Sequence, residues 1–400
     1  MSGRSGRLSY RWVVLATFML LNLALPLLWI SYTPISAVAA SFYGVTGLKI
    51  SLLGLTFMMA FIPLSLPVAW VIDTYGFRPA VSLGALLMVF LGLMRALVGT
   101  RFPLVLLSTV GLALAQPFLL NAWTRLAAVW FVPGERLTAV GLVNASRLLG
   151  IILGLVLTPL LIRTISIPSV QLIYGGLAAL AAILFFLFAR EHPAVPTDAP
   201  GMERRLTVSE GWGHIFTRGP FWTVIFISFV GMGIYNGLFT RMENIIRPRG
   251  FSSAQAGMLL VLMLAGGALG SVVLSRWSDS KHSRTRFLLI GMVLAIPGLL
   301  GLMFGTRLWL LGAAAFTLGF FLIGSLPVGI QVAAEMALPA SEASSTGLVQ
   351  LFGQASLVFV YGMDVLKRPD GTFTPALLLA LGLMAVCVMV IVRLQDPPVV

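Results

Sequence analysis

Asp73-Thr74-Tyr75-Gly76-Phe77-Arg78 is a short charged turn between two long apolar runs, and the chain repeats it: Asp279-Ser280-Lys281-His282-Ser283-Arg284 carries an Asp and an Arg at the same spacing. The offset is constant, 279 − 73 = 206 and 284 − 78 = 206, and it also pairs Pro133 with Pro339, Gly141-Leu142-Val143 with Gly347-Leu348-Val349, and Trp29 with Tyr235. A shift that holds over so many positions marks one half-molecule written twice in the same orientation. Parallel duplication of this kind is a habit of membrane carriers.

Composition points the same way. Charged residues are 10% of the 400 positions and apolar ones 58%, where a soluble domain is about a quarter charged. With roughly 20 apolar residues needed per helical crossing, a chain of this length holds about twelve spans joined by short loops. The net charge of +13 does not imply a nucleic-acid face, because the basic residues fall in loops between spans, where they set orientation. Cys387 is alone, so neither an internal disulfide nor a thiolate metal cluster is offered, and no cofactor is expected. The first apolar run is longer than a signal-peptide core and has no clear cleavage site.

The first span, from about Trp12 to Ala39, is interrupted by Asn22, Pro26, Trp29, Tyr32 and Pro34, and the fourth, from about Pro103 to Trp130, by Gln116-Pro117 and Asn121. Intramembrane prolines are tolerated where neighbouring helices or a cavity satisfy the freed backbone groups. Arg190 to Arg218 is the one long polar stretch. The expected fold is therefore all-α: a six-helix bundle over 1–189, a cytoplasmic linker over 190–218 and a second six-helix bundle over 219–400, related by a pseudo-twofold axis. The bias of Arg and Lys favours cytoplasmic termini. The chain reads as a multi-pass protein of the inner cell membrane, a monomer whose partners are the bilayer and a small solute, with no nucleic acid.

Polar groups in mid-span are expensive and tend to face a cavity or another helix. Trp29 and Tyr235 occupy equivalent positions on the first and seventh spans, so a pseudo-twofold axis puts them on opposite walls of a central cavity. Two amphipathic aromatics there suit an ammonium group, each contact contributing about 0.5–2 kcal/mol; the plainer alternative is packing. Gln116, Asn121, Asn236 and Gln354 are the neutral amides expected to converge with them, with interhelical hydrogen bonding as their structural alternative. Arg147, eleven residues into the fifth span, is the dissenting residue: it suits an anion, and a cationic ligand requires it to point away. Arg125, near the inner end of the fourth span, poses the same question.

Carboxylates stand near span ends rather than at span centres, and His192, His214 and His282 lie in loops, which favours facilitated diffusion over proton coupling. Asp73 and Arg78, Asp279 and Arg284, with Glu135-Arg136 between them in the chain, are expected to gate the cytoplasmic ends of the spans. Gly266, Gly267 and Gly270 permit close helix approach. No nucleotide-binding or hydrolase signature is present, so the chain reads as a non-enzyme.

Ala69-Trp70-Val71-Ile72-Asp73-Thr74-Tyr75-Gly76-Phe77-Arg78 resembles the signature between the second and third spans of the major facilitator superfamily, with Ala69 where that signature has Gly and Pro79 in place of its second basic residue. Arg11-Trp12-Val13-Val14, Trp29-Ile30-Ser31-Tyr32, Ala127-Ala128-Val129-Trp130-Phe131 with Glu135-Arg136, and Pro327-Val328-Gly329 with Ala333-Ala334-Glu335 are similar to the feline leukaemia virus subgroup C receptor-related transporters. That resemblance implies the major facilitator fold, alternating access and a choline- or ethanolamine-like substrate. It also implies ligand contacts from Trp29, Tyr235, Gln116 and Gln354. Its alternatives are transport of haem or another organic anion, a membrane sensor without transport, and a lipid-handling protein.

Overall fold

In the computed structural model, which describes residues 2–193, 217 and 219–396, the described residues form twelve helices long and apolar enough to cross a membrane. We number them α1 (Tyr10–Tyr43), α2 (Gly47–Tyr75), α3 (Phe77–Leu97), α4 (Phe102–Trp130), α5 (Pro133–Leu161), α6 (Ile167–Phe188), α7 (Gly219–Arg249), α8 (Ser253–Lys281), α9 (Arg284–Phe304), α10 (Leu308–Met336), α11 (Glu342–Val365) and α12 (Thr374–Val392). The expected linker lies mostly on residues 194–216 and 218, outside those described.

Several helices break where the sequence removes a backbone donor or a side chain. α1 stops at Ile30, passes through a 3-10 turn at Thr33–Ile35 and resumes at Ser36; Pro34 has no N–H to continue the ladder. α4 breaks between Ala113 and Gln116, where Pro117 follows, and again between Leu120 and Trp123. α10 contains one π-helical turn, Gly319–Ile323, a feature that concentrates at functional or closely packed sites. By the 206-residue offset the α1 break corresponds to positions 237–241, yet α7 runs unbroken from Gly219 to Ile246. Thr240 stands there where the first repeat has Pro34.

The chain forms two compact units. The first comprises Met1–Val132, Ser146–Val208 and Ser341–Gly347; the second comprises Pro133–Ala145, Ser209–Ala340 and Leu348–Val400. Each unit therefore holds the leading turns of a helix from the other sequence repeat. In unit 1, α3 and α1 pack along α6, and α4 lies against α2 and α3. Unit 2 repeats the scheme with α9 on α12 and α10 against α8 and α9.

The α8–α10 seam in unit 2 is backbone on backbone. A Cβ built on Gly266 would lie 2.2 Å from the Phe316 carbonyl oxygen, one on Gly270 2.0 Å from that of Phe320, and one on Gly319 1.8 Å from that of Met263. In hydrocarbon, helices associate through such close approach, since apolar burial offers no advantage over lipid. Of the expected glycines of α8, Gly266 and Gly270 line this seam, and Gly319 of α10 completes it.

Gly319→Ala should lower the melting temperature of the detergent-purified protein, because the new methyl group has no flexible neighbour to displace and costs about 1–3 kcal/mol. Gly257→Ala, in the same seam-forming helix but with open space around its Cβ, should leave stability unchanged or raise it slightly. Equal melting temperatures for the two variants would contradict the seam.

Candidate functional site

The breaks in α1 and α4 shape a cleft within unit 1. It is lined by Asn22, Leu25, Pro26 and Trp29 of α1, Phe57 of α2, Gln116 and Leu120 of α4, and Arg147 of α5, and encloses about 20 Å³. That is room for a single water-sized body. Trp29 donates its indole N–H to the Gly54 carbonyl at 3.0 Å, and its ring lies 6.1 Å from that of Phe57. One hydrogen bond and one aromatic neighbour thus fix the indole.

Gln116 is only 9% exposed, and its Oε1 has no hydrogen-bond partner. A buried carbonyl oxygen without a partner costs about 1–3 kcal/mol, so it stands ready for a donor. Asn22 is already committed: its Nδ2 donates to Phe18 O at 3.0 Å and its Oδ1 accepts from Trp123 Nε1 at 2.9 Å. Arg147 reaches the cleft because it shares a helical face with Gly150 and Gly154, three and seven residues on. A Cβ on Gly150 would lie 2.2 Å from Leu23 O, and one on Gly154 2.2 Å from Ile30 Cγ2, so this face of α5 lies directly on α1.

A buried guanidinium holds the broken end of α1. Arg95 of α3 is 1% exposed and donates from Nη2 to Leu28 O at 3.0 Å, Ser31 Oγ at 2.8 Å and Gln171 Oε1 at 2.7 Å. Its Cζ sits 4.7 Å from the centre of the Tyr32 ring. The acceptors Leu28 and Ser31 flank Trp29 in sequence, so Arg95 and Gln171 set the angle at which α1 presents its indole. Neither residue was singled out from sequence. Arg95 stands two residues from the end of α3 and reads there as a loop-side charge; only the fold shows its inward course.

The remaining amide candidates are placed differently. Asn121 lies outside the cleft lining; its Nδ2 donates to Ser65 O at 2.7 Å and Ser65 Oγ at 3.3 Å, joining α4 to α2. In unit 2, Tyr235 is buried with its ring 5.7 Å from that of Phe239, Asn236 donates to Ser356 Oγ at 3.2 Å, and Gln354 is buried on α11. None of the three lines the larger cavity of that unit, an apolar space of about 200 Å³ among α7, α11 and α12. The positions equivalent to Gln116 and Arg147 are Leu322 and Gly353, so the second repeat does not carry the same two polar side chains.

The charged turns are built reciprocally. In unit 1, Asp73 Oδ2 accepts from Ser344 Oγ of α11 at 2.7 Å. In unit 2, Asp279 Oδ2 accepts from both N and Oγ1 of Thr138 of α5 at 2.6 Å. The two contacts are one contact written twice: 73 + 206 = 279 and 138 + 206 = 344. Ser65 Oγ likewise donates to Gly347 O at 2.8 Å, while a Cβ on Gly141 would lie 2.2 Å from Ser271 O, the same pair at the same offset. Each Asp thus sits at the N-terminal end of a helix, where exposed N–H groups favour negative charge.

The arginines are not equivalent. Arg284 Nη1 meets Asp279 Oδ1 at 2.5 Å, its Nε lies 3.3 Å from Glu335 Oε1, and its Nη2 donates to Pro133 O at 3.2 Å. Arg78 instead donates to Phe186 O at 3.4 Å, while the backbone N–H groups of Phe77 and Arg78 are capped by Glu191 at 3.0 and 2.7 Å. Glu191, unforeseen from sequence, fits because Gly76, at φ +95, leaves no Cβ in its way. Glu135 closes a 3-10 turn, Pro133–Glu135, and Arg136 opens the helical run behind it. Arg125 pairs with Glu342 at 3.4 Å.

Comparison with known proteins agrees with this architecture. The Major Facilitator Superfamily model matches residues 8–361. The chain is 28% identical over 386 residues to the human choline/ethanolamine transporter FLVCR2, covering 90% of this chain and 73% of that protein. It is 27% identical over 385 residues to the mouse choline/ethanolamine transporter FLVCR1, covering 87% and 68%. Among solved structures it superposes on the E. coli fucose:proton symporter with a TM-score of 0.72 at 14% identity, covering 96% and 98%, and on a proton:xylose symporter with a TM-score of 0.76 at 11% identity, covering 96% of each. With twelve apolar helices, a duplicated charged turn and a family match over most of its length, this chain belongs to the major facilitator superfamily of membrane transporters.

Proposed function

We propose that this transporter carries a small organic ammonium compound, choline- or ethanolamine-like, by facilitated diffusion, and that Trp29 and Gln116 bind it. One observation carries the reading: an unpartnered buried carbonyl oxygen, Gln116 Oε1, lines the same cleft as a fixed indole. An indole face attracts ammonium charge, and the amide oxygen accepts from an N–H or hydroxyl of the same molecule. The printed names of the FLVCR1 and FLVCR2 relatives support this substrate class. Tyr235, Asn236 and Gln354 are proposed as contacts contributed from the second repeat; Asn121 acts through Ser65.

Uncoupled transport is supported by where the described intramembrane carboxylates stand. Asp73, Glu135, Asp279, Glu335, Glu342 and Asp364 each lie within two residues of a span end, and Glu243, six residues from the end of α7, accepts from Ser253 Oγ at the start of α8, so all stand away from the depth at which proton relays operate. The two Asp-centred contacts are proposed as gates at the cytoplasmic ends of the helices, with Arg78, Glu135, Arg136 and Arg284 in supporting roles. Both termini are proposed to lie on that side of the cell membrane, and the working unit is proposed to be a monomer.

Gln116→Leu should separate binding from stability. The change removes an orphaned acceptor, so the melting temperature should hold or rise, while uptake of labelled choline and ethanolamine into proteoliposomes falls. A loss of stability with full uptake would assign Gln116 to packing instead.

The gates should respond unequally. Asp279→Asn takes the nearer of two carboxylates from the buried Arg284, leaving Glu335 at 3.3 Å, and should cost about 3 kcal/mol, whereas Asp73→Asn retains a neutral hydrogen bond to Ser344 and should cost only about 1 kcal/mol. Thermal unfolding of the two purified variants measures this difference, and equal destabilisation would contradict the distinct wiring of the two turns.

A further inference from the structure

Gly233 and Gly237, four residues apart, share one face of α7. A Cβ on Gly233 would lie 2.5 Å from Phe359 Cδ2, and one on Gly237 2.5 Å from Met363 Sδ, so α11 seats its side chains in a glycine notch of α7. Beside this notch, within unit 2, lies the cavity of about 200 Å³, walled also by Leu377, Leu379 and Leu383 of α12. Every residue of its wall is Gly, Ala, Val, Leu, Ile, Phe or Met. Such a wall rejects a polar solute, whose groups would leave water without finding a partner. Left unfilled, it forfeits dispersion contacts on every side. Val358 and Leu379 of the wall are 56% and 53% exposed, so the space opens sideways between spans, where bilayer hydrocarbon reaches it.

The crevice has a charged mouth. Along α11 its wall runs from Val358 to Leu366, a depth of about 12 Å at the helical rise, and it ends where the α11–α12 loop begins. Lys367 and Arg368 follow directly and are exposed. The loop holds them there: Arg368 N donates to Thr372 O at 3.0 Å, and Gly371 N to Arg368 O at 2.9 Å, a tight turn that Gly371 closes at φ +85. The Lys367 ammonium stands 5.7 Å from the centre of the Phe373 ring. Two carboxylates at this end already have partners. Asp364 pairs with Arg241 of α7, and Asp370 accepts from Thr372 N at 2.8 Å and Thr372 Oγ1 at 2.7 Å.

An apolar crevice in the hydrocarbon layer below two interfacial cations matches an amphiphile with an apolar chain and an anionic head. We infer that unit 2 binds an acidic phospholipid of the surrounding bilayer, one acyl chain in the crevice between α7, α11 and α12 and its phosphate at Lys367 and Arg368. The site stands apart from the unit 1 cleft and does not depend on which solute that cleft takes.

Native mass spectrometry of the purified full-length protein, with phosphatidylglycerol or phosphatidylcholine of identical acyl chains added, tests the site. Phosphatidylglycerol should bind about fivefold or more tighter, and each of Lys367→Gln and Arg368→Gln should weaken it about fivefold. Gly362→Leu should abolish tight binding, because Gly362 lines the crevice and its Cβ position is open. Gly382→Leu, also in open space but outside the wall, should leave binding unchanged. Both cations are exposed, so their variants decide the matter even if Gly362→Leu fails to fold. Equal binding of the two lipids, or wild-type binding by both charge variants, would overturn the headgroup contact and with it the proposal. Unchanged phosphatidylglycerol binding by folded Gly362→Leu would overturn the crevice as its seat. A dimer of the wild type that Gly362→Leu dissociates would assign the crevice to a second copy of the chain instead.

Discussion

In hydrocarbon a polar group that leaves water has to find its partner inside the protein, and the Arg95 guanidinium meets that demand in a way that shapes the rest of unit 1. It gathers the last carbonyl region of a broken α1, a serine in the break and a glutamine on α6. Leu28 O, freed by the α1 break, accepts from both Ser31 Oγ and this guanidinium. With it, α1 bends at a fixed place and Trp29 is presented toward α2 and α4. The equivalent positions of the second repeat are Gly301 and Leu377, and α7 there is one unbroken helix from Gly219 to Ile246. The buried charge that anchors the break in α1 thus has no counterpart at the equivalent positions of the second repeat.

Duplication explains the opposite pattern at the charged turns. There the two repeats keep the same contact, Asp at the end of one helix against the hydroxyl of a Ser or Thr at the start of another, and they keep the Ser–Gly approach one to two turns further on. A carboxylate bound to a helix start is reversible without chemical change, which suits the gating role proposed for these turns. The added Arg284 in unit 2 binds Asp279 and Glu335 together, and a charged network of this kind resists opening more than a single neutral donor does.

Much of this was legible in the sequence because hydrocarbon leaves few choices. The spans follow from apolar run length, the duplication from the 206-residue offset, and the α8 seam from Gly266 and Gly270. Trp29 and Gln116 were legible as polar groups beside intramembrane prolines, and the cleft brings them together. What was not legible depends on long-range geometry. Asn121 has the same character as Gln116 in sequence, yet one helical turn turns its amide toward Ser65. Arg95 and Glu191 read as ordinary end-of-helix charges, and Trp123 as one aromatic among many, until the fold supplies Ser31 and Gln171, the amides of α3, and Asn22 as partners. Arg147 is ambiguous in the sequence, and its place in the cleft lining shows only in the fold.

The central claim is that solute binds in the unit 1 cleft between Trp29 and Gln116. Leu120 lines that cleft and Cys387 is the only native cysteine, so Leu120→Cys in a Cys387→Ser background gives a single thiol at the proposed site. The rate at which a small thiol reagent modifies it, followed against increasing concentration of a solute the protein transports, is the most direct measurement. The account predicts that saturating solute protects the thiol, with half-protection at the concentration that half-saturates uptake. Modification that proceeds at the same rate with and without a transported solute would place the binding site elsewhere.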